Sequence, residues 1–89
     1  MQKEKLTLKN KTGLHARPAS VFVDKTKKFK SDIKIKSKNK EVNGKSIMNV
    51  MSLGIDGGDE ITLTVEGEDE EKAMNELTKL INEELPEEE

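Results

Sequence analysis

The sequence predicts an α+β domain in which helices cover one face of an antiparallel sheet and the other face stays in water. Three observations point there. Each strand-like run alternates apolar and polar residues, the signature of half-buried strands rather than of the apolar runs of parallel sheets. Between these runs lie segments with helical apolar spacing. Their order is strand, helix, strand, strand, helix, strand, helix (βαββαβα), which suits an open-faced β-sandwich of four antiparallel strands with three helices on one face.

The first strand is Lys3-Glu4-Lys5-Leu6-Thr7-Leu8-Lys9, with Leu6 and Leu8 on its apolar side. Asn10-Lys11-Thr12-Gly13 reads as a loop. From Ala16 to about Phe29 the apolar positions Ala16, Ala19, Phe22, Val23 and Phe29 follow helical spacing, with Thr26 completing the stripe. Arg17, Ser20, Val21 and Asp24 fall on another face, where Val21 is out of character. Asp32-Ile33-Lys34-Ile35-Lys36 alternates as a second strand. Ser37-Lys38-Asn39-Lys40 suits a hairpin turn without the favoured Asn-Gly pair, and Lys40-Glu41-Val42-Asn43 is the returning strand. Ser46 is a good N-cap for a short helix from Ile47 to Leu53, stopped by Gly54 in a left-handed conformation. After the turn at Gly57-Gly58, Glu60 to Glu66 is the strongest strand signal in the chain. Asp69 suits the cap of a last helix with core residues Ala73, Met74, Leu77, Leu80 and Ile81. Pro86 and the glutamates after it predict a frayed acidic tail over residues 85–89.

Composition narrows the function. The 89 residues make one domain, residues 1–89, and with 2% aromatics its modest core must be aliphatic. With no cysteine, disulfides and thiol chemistry are excluded; with one histidine besides, no metal or cofactor is expected. No apolar stretch is long enough to span a bilayer, no membrane insertion is expected and the lysine-rich N-terminus lacks the apolar core of a signal peptide, so the expected location is cytoplasmic; a monomer is the default expectation. The net charge of −2 conceals an asymmetry. Residues 1–55 carry 14 basic and 4 acidic side chains, net +10, whereas residues 56–89 carry 2 and 14, net −12. A basic side near the histidine would steer acidic partners and retain anions.

The chemistry concentrates in Gly13-Leu14-His15-Ala16-Arg17-Pro18-Ala19-Ser20. Pro18 suits the first turn of a helix, so His15 stands where a loop becomes a helix, beside free N–H groups and a partial positive charge. Such a place favours phosphate, and the Arg17 guanidinium is two residues away. Neutral imidazole is a good leaving group, so a phosphoryl group accepted by His15 can be passed on. The expected role is a phosphoryl transfer intermediate rather than a stand-alone enzyme. In the second helix Val50 and Leu53 suit the core, and Ile47, Met48 and Met51 cannot all point the same way as these two, although by residue type alone core packing is the expectation for them as well.

Gly13-Leu14-His15-Ala16-Arg17-Pro18-Ala19 resembles the active-site signature of HPr, the histidine phosphocarrier family of the bacterial sugar phosphotransferase system. Lys45-Ser46-Ile47-Met48-Asn49-Val50-Met51-Ser52-Leu53-Gly54-Ile55 resembles the same family's second signature, around a regulatory serine. The resemblance implies that His15 accepts phosphate from Enzyme I on Nδ1, with Arg17 alongside, and passes it to sugar-specific IIA domains. It implies phosphorylation of Ser46 by an HPr kinase/phosphorylase, after which the protein binds a catabolite-control transcription factor. It also implies a partner-docking surface of Arg17, Ser20, Val21, Ile47, Met48 and Met51 around His15. A histidine-lacking regulatory paralogue is excluded by His15; a nitrogen-regulatory or purely regulatory paralogue is the alternative within the family. A small nucleic-acid-binding domain is the alternative from another class, disfavoured by the absence of Tyr and Trp, the lack of an RNP-like motif and the net acidity, so no nucleic-acid partner is expected.

Overall fold

In a computed structural model that describes residues 1–87, the elements follow the expected order. They are β1 (Gln2–Thr7), α1 (Ala16–Thr26), β2 (Asp32–Ser37), β3 (Lys40–Asn43), α2 (Ile47–Ser52), β4 (Glu60–Glu66) and α3 (Glu70–Lys79). A π-helical turn, Leu80–Glu84, and a short α-helical end, Leu85–Glu87, extend α3. The sheet order is β1-β4-β2-β3 and every pairing is antiparallel.

Alternation translates directly into two faces. Leu6, Ile33, Ile35, Ile61, Leu63 and Val65 are buried beneath the helices. They meet Phe22, Val23, Val50, Leu77 and Ile81 in one apolar, largely aliphatic core. Lys3, Lys5, Lys34 and Lys36 point the other way, flanking Thr62 and Thr64 of the central β4. The hairpin between β2 and β3 turns through Lys38 and Asn39, at φ 51° and 68°. Two consecutive positive φ values are what a two-residue turn matched to strand twist requires.

Several boundaries differ from expectation. β1 begins at Gln2 and ends at Thr7, because Leu8 leaves the ladder to bond the loop before β4: its N–H donates to the Asp59 carbonyl, and its own carbonyl accepts from Gly58 N–H. The first helix stops at Thr26 rather than Phe29. Thr26 Oγ1 donates to the carbonyls of Val23 and Gly44, anchoring the helix end to the loop after β3. Phe29 still reaches the core from the following turn. α2 ends at Ser52, with Gly54 beyond it at φ 60°.

The expected frayed tail is a correction. Leu85 is buried and helical, and its N–H donates to Leu80 O, five residues back. Proline has no N–H, and its ring crowds the carbonyl of the preceding turn, so an α-helical ladder at Pro86 is disfavoured. The widened π turn accommodates this and keeps Leu85 on the apolar stripe. Glu88 and Glu89 of the expected tail lie outside the described residues.

Asp69 sits at the start of α3 but does not cap it. Its carboxylate accepts instead from Lys30 N–H at 2.9 Å, Ser31 N–H at 3.0 Å and the Ser31 hydroxyl, so it ties the α1–β2 turn to the last helix. The hydroxyl of Ser31 and then the Lys30 amide hold its pKa down, from 3.8 to about 2. A folded-state pKa below the unfolded one contributes stability above pH 3.8 that is lost as pH falls through about 2. Asp69→Asn is therefore expected to flatten the acid limb of stability between those values, measured by urea unfolding at stepped pH. An unchanged slope there would contradict the assignment.

Candidate functional site

The site is built where two loops meet. Leu14 N–H donates to Ile55 O at 3.0 Å, and both side chains are fully buried. The approach is close enough that two residues must lack a Cβ. One built on Gly13 would lie 2.3 Å from Ile55 O, and one on Gly57 would lie 2.4 Å from the carbonyl oxygens of Asn10 and Lys11. Asn10, buried, donates from its amide to Gly13 O at 2.7 Å and shapes the turn before the histidine.

His15 follows as the N-cap residue of α1, with extended backbone at φ −102° and ψ 151°. Its side chain makes no capping bond and is 44% exposed. The N–H groups of Ala16 and Arg17, in the first helical turn, have no intrahelical partner, and Pro18 has none to satisfy. Ala16 stands at φ 45°, unusual for a residue with a Cβ, and such a conformation costs on the order of 1–2 kcal/mol. This strained residue turns the chain from the extended histidine into the helix.

The imidazole has one partner that local sequence does not reveal. His15 Nε2 lies 2.7 Å from Asp56 Oδ1, on the second loop, 41 residues away in the chain. Asp56 is itself held by its backbone: its N–H donates to Asp59 Oδ2 at 2.8 Å, and its carbonyl accepts from Asp59 N–H at 3.1 Å. Beside the ring opens a groove of about 470 Å³, walled by Lys11, Thr12, His15, Ala16, Arg17, Pro18 and Leu85. Arg17 is exposed there and forms no ion pair among the described residues. Ala16, Pro18 and Leu85 give the groove a largely apolar wall, to which Arg17 brings a positive charge. Both Asp56 and Leu85 escaped the sequence reading. Asp56 lay unassigned just before the Gly57-Gly58 turn, and Leu85 lay in the expected tail.

The other expected residues lie on neighbouring helices. Ser46 caps α2, its Oγ accepting from Asn49 N–H at 3.3 Å. α1 and α2 pack side by side. Met48 is 80% exposed, Met51 43% and Ile47 38%, while Val50 and Leu53 are buried. Ser20 is half-buried, and Val21 is half-buried against the core, so core packing accounts for part of its apolar character. None of the α2 residues lines the groove at His15. No three His, Asp or Glu side chains converge as metal ligands would among the described residues, and no helix there is long and apolar enough to cross a membrane.

An open-faced sandwich that presents its single imidazole at a helix start, beside an arginine and an open groove, is the architecture of a histidine phosphocarrier. The chain matches the PTS-HPr family, described as PTS HPr component phosphorylation site, over residues 2–83, and it belongs to that family. It is 44% identical to the HPr-like protein Crh of Bacillus subtilis (strain 168) over 85 residues, 96% of this chain and all of that protein. It superposes on HPr-C-His from Thermoanaerobacter tengcongensis with a TM-score of 0.93 at 48% identity, covering 96% of each chain. A structure of Bacillus subtilis Crh described as a domain-swapped dimer aligns with a TM-score of 0.75 at 44% identity, covering 96% of this chain and 98% of that one.

Proposed function

We propose that this phosphocarrier accepts a phosphoryl group on His15 Nδ1 from Enzyme I and passes it to sugar-specific IIA domains in the cytoplasm. One observation carries the reading: an exposed imidazole at a helix start, whose Nε2 is engaged and whose Nδ1 makes no hydrogen bond among the described residues. The helix-start amides and Arg17 supply modest stabilisation of the phosphoryl oxygens. Modest is what a carrier needs, since a tightly held group would not leave. The open groove leaves room for the partner's reacting residue. Incubation with Enzyme I and phosphoenolpyruvate, followed by phosphorus NMR, tests the reading; an acid-labile imidazole phosphate is the expected signal, and its absence refutes it.

Likeness to Crh, described as the catabolite repression HPr of Bacillus subtilis, supports a regulatory role as well, for which Ser46 is the proposed site. In this reading an HPr kinase/phosphorylase modifies Ser46, and the phosphorylated protein binds a catabolite-control transcription factor. Phosphate there gains from the helix start while its charge faces outward toward Enzyme I. Ile47, Met48 and Met51, with Arg17, Ser20 and Val21, form the proposed docking face, where flexible methionines suit several partners. Ser46→Asp is expected to slow acceptance from Enzyme I roughly tenfold by charge repulsion. Ser46→Ala should leave the rate near the parent's and lower stability by about 1 kcal/mol through loss of the cap. Equal rates for the two variants in rapid-quench assays would remove the regulatory reading. The proposed working state is a monomer, although the Crh relative forms a swapped dimer; light scattering of the purified protein distinguishes the two.

A further inference from the structure

We infer that Asp56 is a positioning residue for the phosphoryl transfer, holding the His15 ring in the tautomer that leaves Nδ1 free to react. The inference rests on the phosphocarrier reading above and adds a residue to it.

The geometry constrains the proton. A carboxylate oxygen accepts hydrogen bonds, so at 2.7 Å the His15 Nε2 is the donor and carries the hydrogen. In neutral imidazole the other nitrogen then holds the lone pair. Nδ1 has no hydrogen-bond partner among the described residues, so that lone pair is available to an incoming phosphorus. The same contact fixes the ring about its side-chain torsions, since the carboxylate stands on a loop that cannot drift. Gly13 and Gly57 let the two loops approach, Leu14 and Ile55 anchor them in the core, and Asp59 clamps Asp56 by its backbone at two points.

The charge changes during transfer run in the carboxylate's favour. When Nδ1 attacks, the Nδ1–P bond forms and the donor's bond to phosphorus breaks, its electron pair leaving with the donor. The ring keeps its Nε2 hydrogen and becomes cationic, and Asp56 lies next to that developing charge. When the group moves on, the Nδ1–P bond breaks, its electron pair returns to Nδ1, and neutral imidazole departs with the Nε2 hydrogen still in place. No proton enters or leaves the ring in either step. Asp56 therefore assists both, by orientation and by field, without touching the phosphoryl group.

Asp56 is 69% exposed on its side chain, so water screens this field and its replacement leaves the fold standing. Nitrogen-15 NMR of the unphosphorylated imidazole tests the inference in the parent, Asp56→Ala and Asp56→Asn, alongside rapid-quench acceptance from Enzyme I. The parent should hold the Nε2–H form. Asp56→Ala should shift to a mixture of tautomers and lose about five- to tenfold in rate. Asp56→Asn retains an acceptor without charge, so it should keep the parent's tautomer and recover part of the rate. Parent-like tautomer populations in Asp56→Ala, or a parent-like rate despite altered populations, overturn the inference. A parent that accepts no phosphate at all defeats the phosphocarrier reading instead, and the NMR comparison then still decides whether Asp56 sets the tautomer.

Discussion

His15→Ala is expected to abolish phosphoryl acceptance while leaving the domain folded. The chain contains no other histidine, so no second imidazole can substitute. Serine and threonine hydroxyls near the site form phosphate esters, whose alkoxide leaves far less readily than imidazole, and such esters do not relay the group. The side chain contributes little to the fold, being 44% exposed, making no cap bond and, among the described residues, hydrogen-bonding only to the exposed Asp56. A surface change of this kind alters stability by about 0.5 kcal/mol or less. The expected result is therefore a loss of at least about a thousandfold in acceptance at unchanged thermal stability. Phosphorus NMR after incubation with Enzyme I and phosphoenolpyruvate provides the check. An acid-labile phosphate on the variant would show that the transfer residue lies elsewhere.

Gly13→Ala is expected to carry the largest stability loss of any single-methyl change near the site. Two costs combine. The residue stands at φ +61°, which an alanine adopts at a cost of about 1 kcal/mol. Its Cβ would also meet backbone rather than a flexible side chain, 2.3 Å from Ile55 O and 2.5 Å from Asp56 C. Backbone displacements forced by overpacking cost about 1–3 kcal/mol more. A sum of about 2–4 kcal/mol in a domain this size lowers the melting temperature by about 10–25 °C. Gly54→Ala isolates the first cost, since Gly54 has a similar φ of 60° with nothing within 4 Å of the added carbon. It should lose only about 1 kcal/mol. Calorimetry on both variants decides the matter, and equal losses would deny the close packing of the two loops. Because those loops also deliver Asp56 to His15, Gly13→Ala should disturb the His15 tautomer as well.

Much of the fold was legible because its signals are local. The alternation of Ile33 and Ile35, or of Ile61, Leu63 and Val65, reflects the two faces of a strand whatever its partners. Ser46 before Ile47, with Gly54 after the helix, marks ends that short-range hydrogen bonding sets. The errors arose where a local preference met a remote competitor. Asp69 had the chemistry of a cap, but the amides of Lys30 and Ser31 took its carboxylate. Pro86 read as a break, but a π turn let Leu85 continue on the apolar stripe. Phe29 had the right spacing for a helix, but Thr26 ended it by bonding to Gly44 O.

The site divides along the same line. His15, Arg17 and Pro18 stand within four positions, so the amino-acid sequence alone determined that an imidazole meets a helix start and a guanidinium. Only the tertiary structure decided which ring nitrogen is engaged and what walls the groove. Asp56 reaches Nε2 across 41 residues, and Leu85 arrives from the far end of the chain. Periodicity and capping report on neighbours a few residues apart. Contacts across such distances follow from how the sheet and helices close on one core, and no short stretch of sequence encodes them.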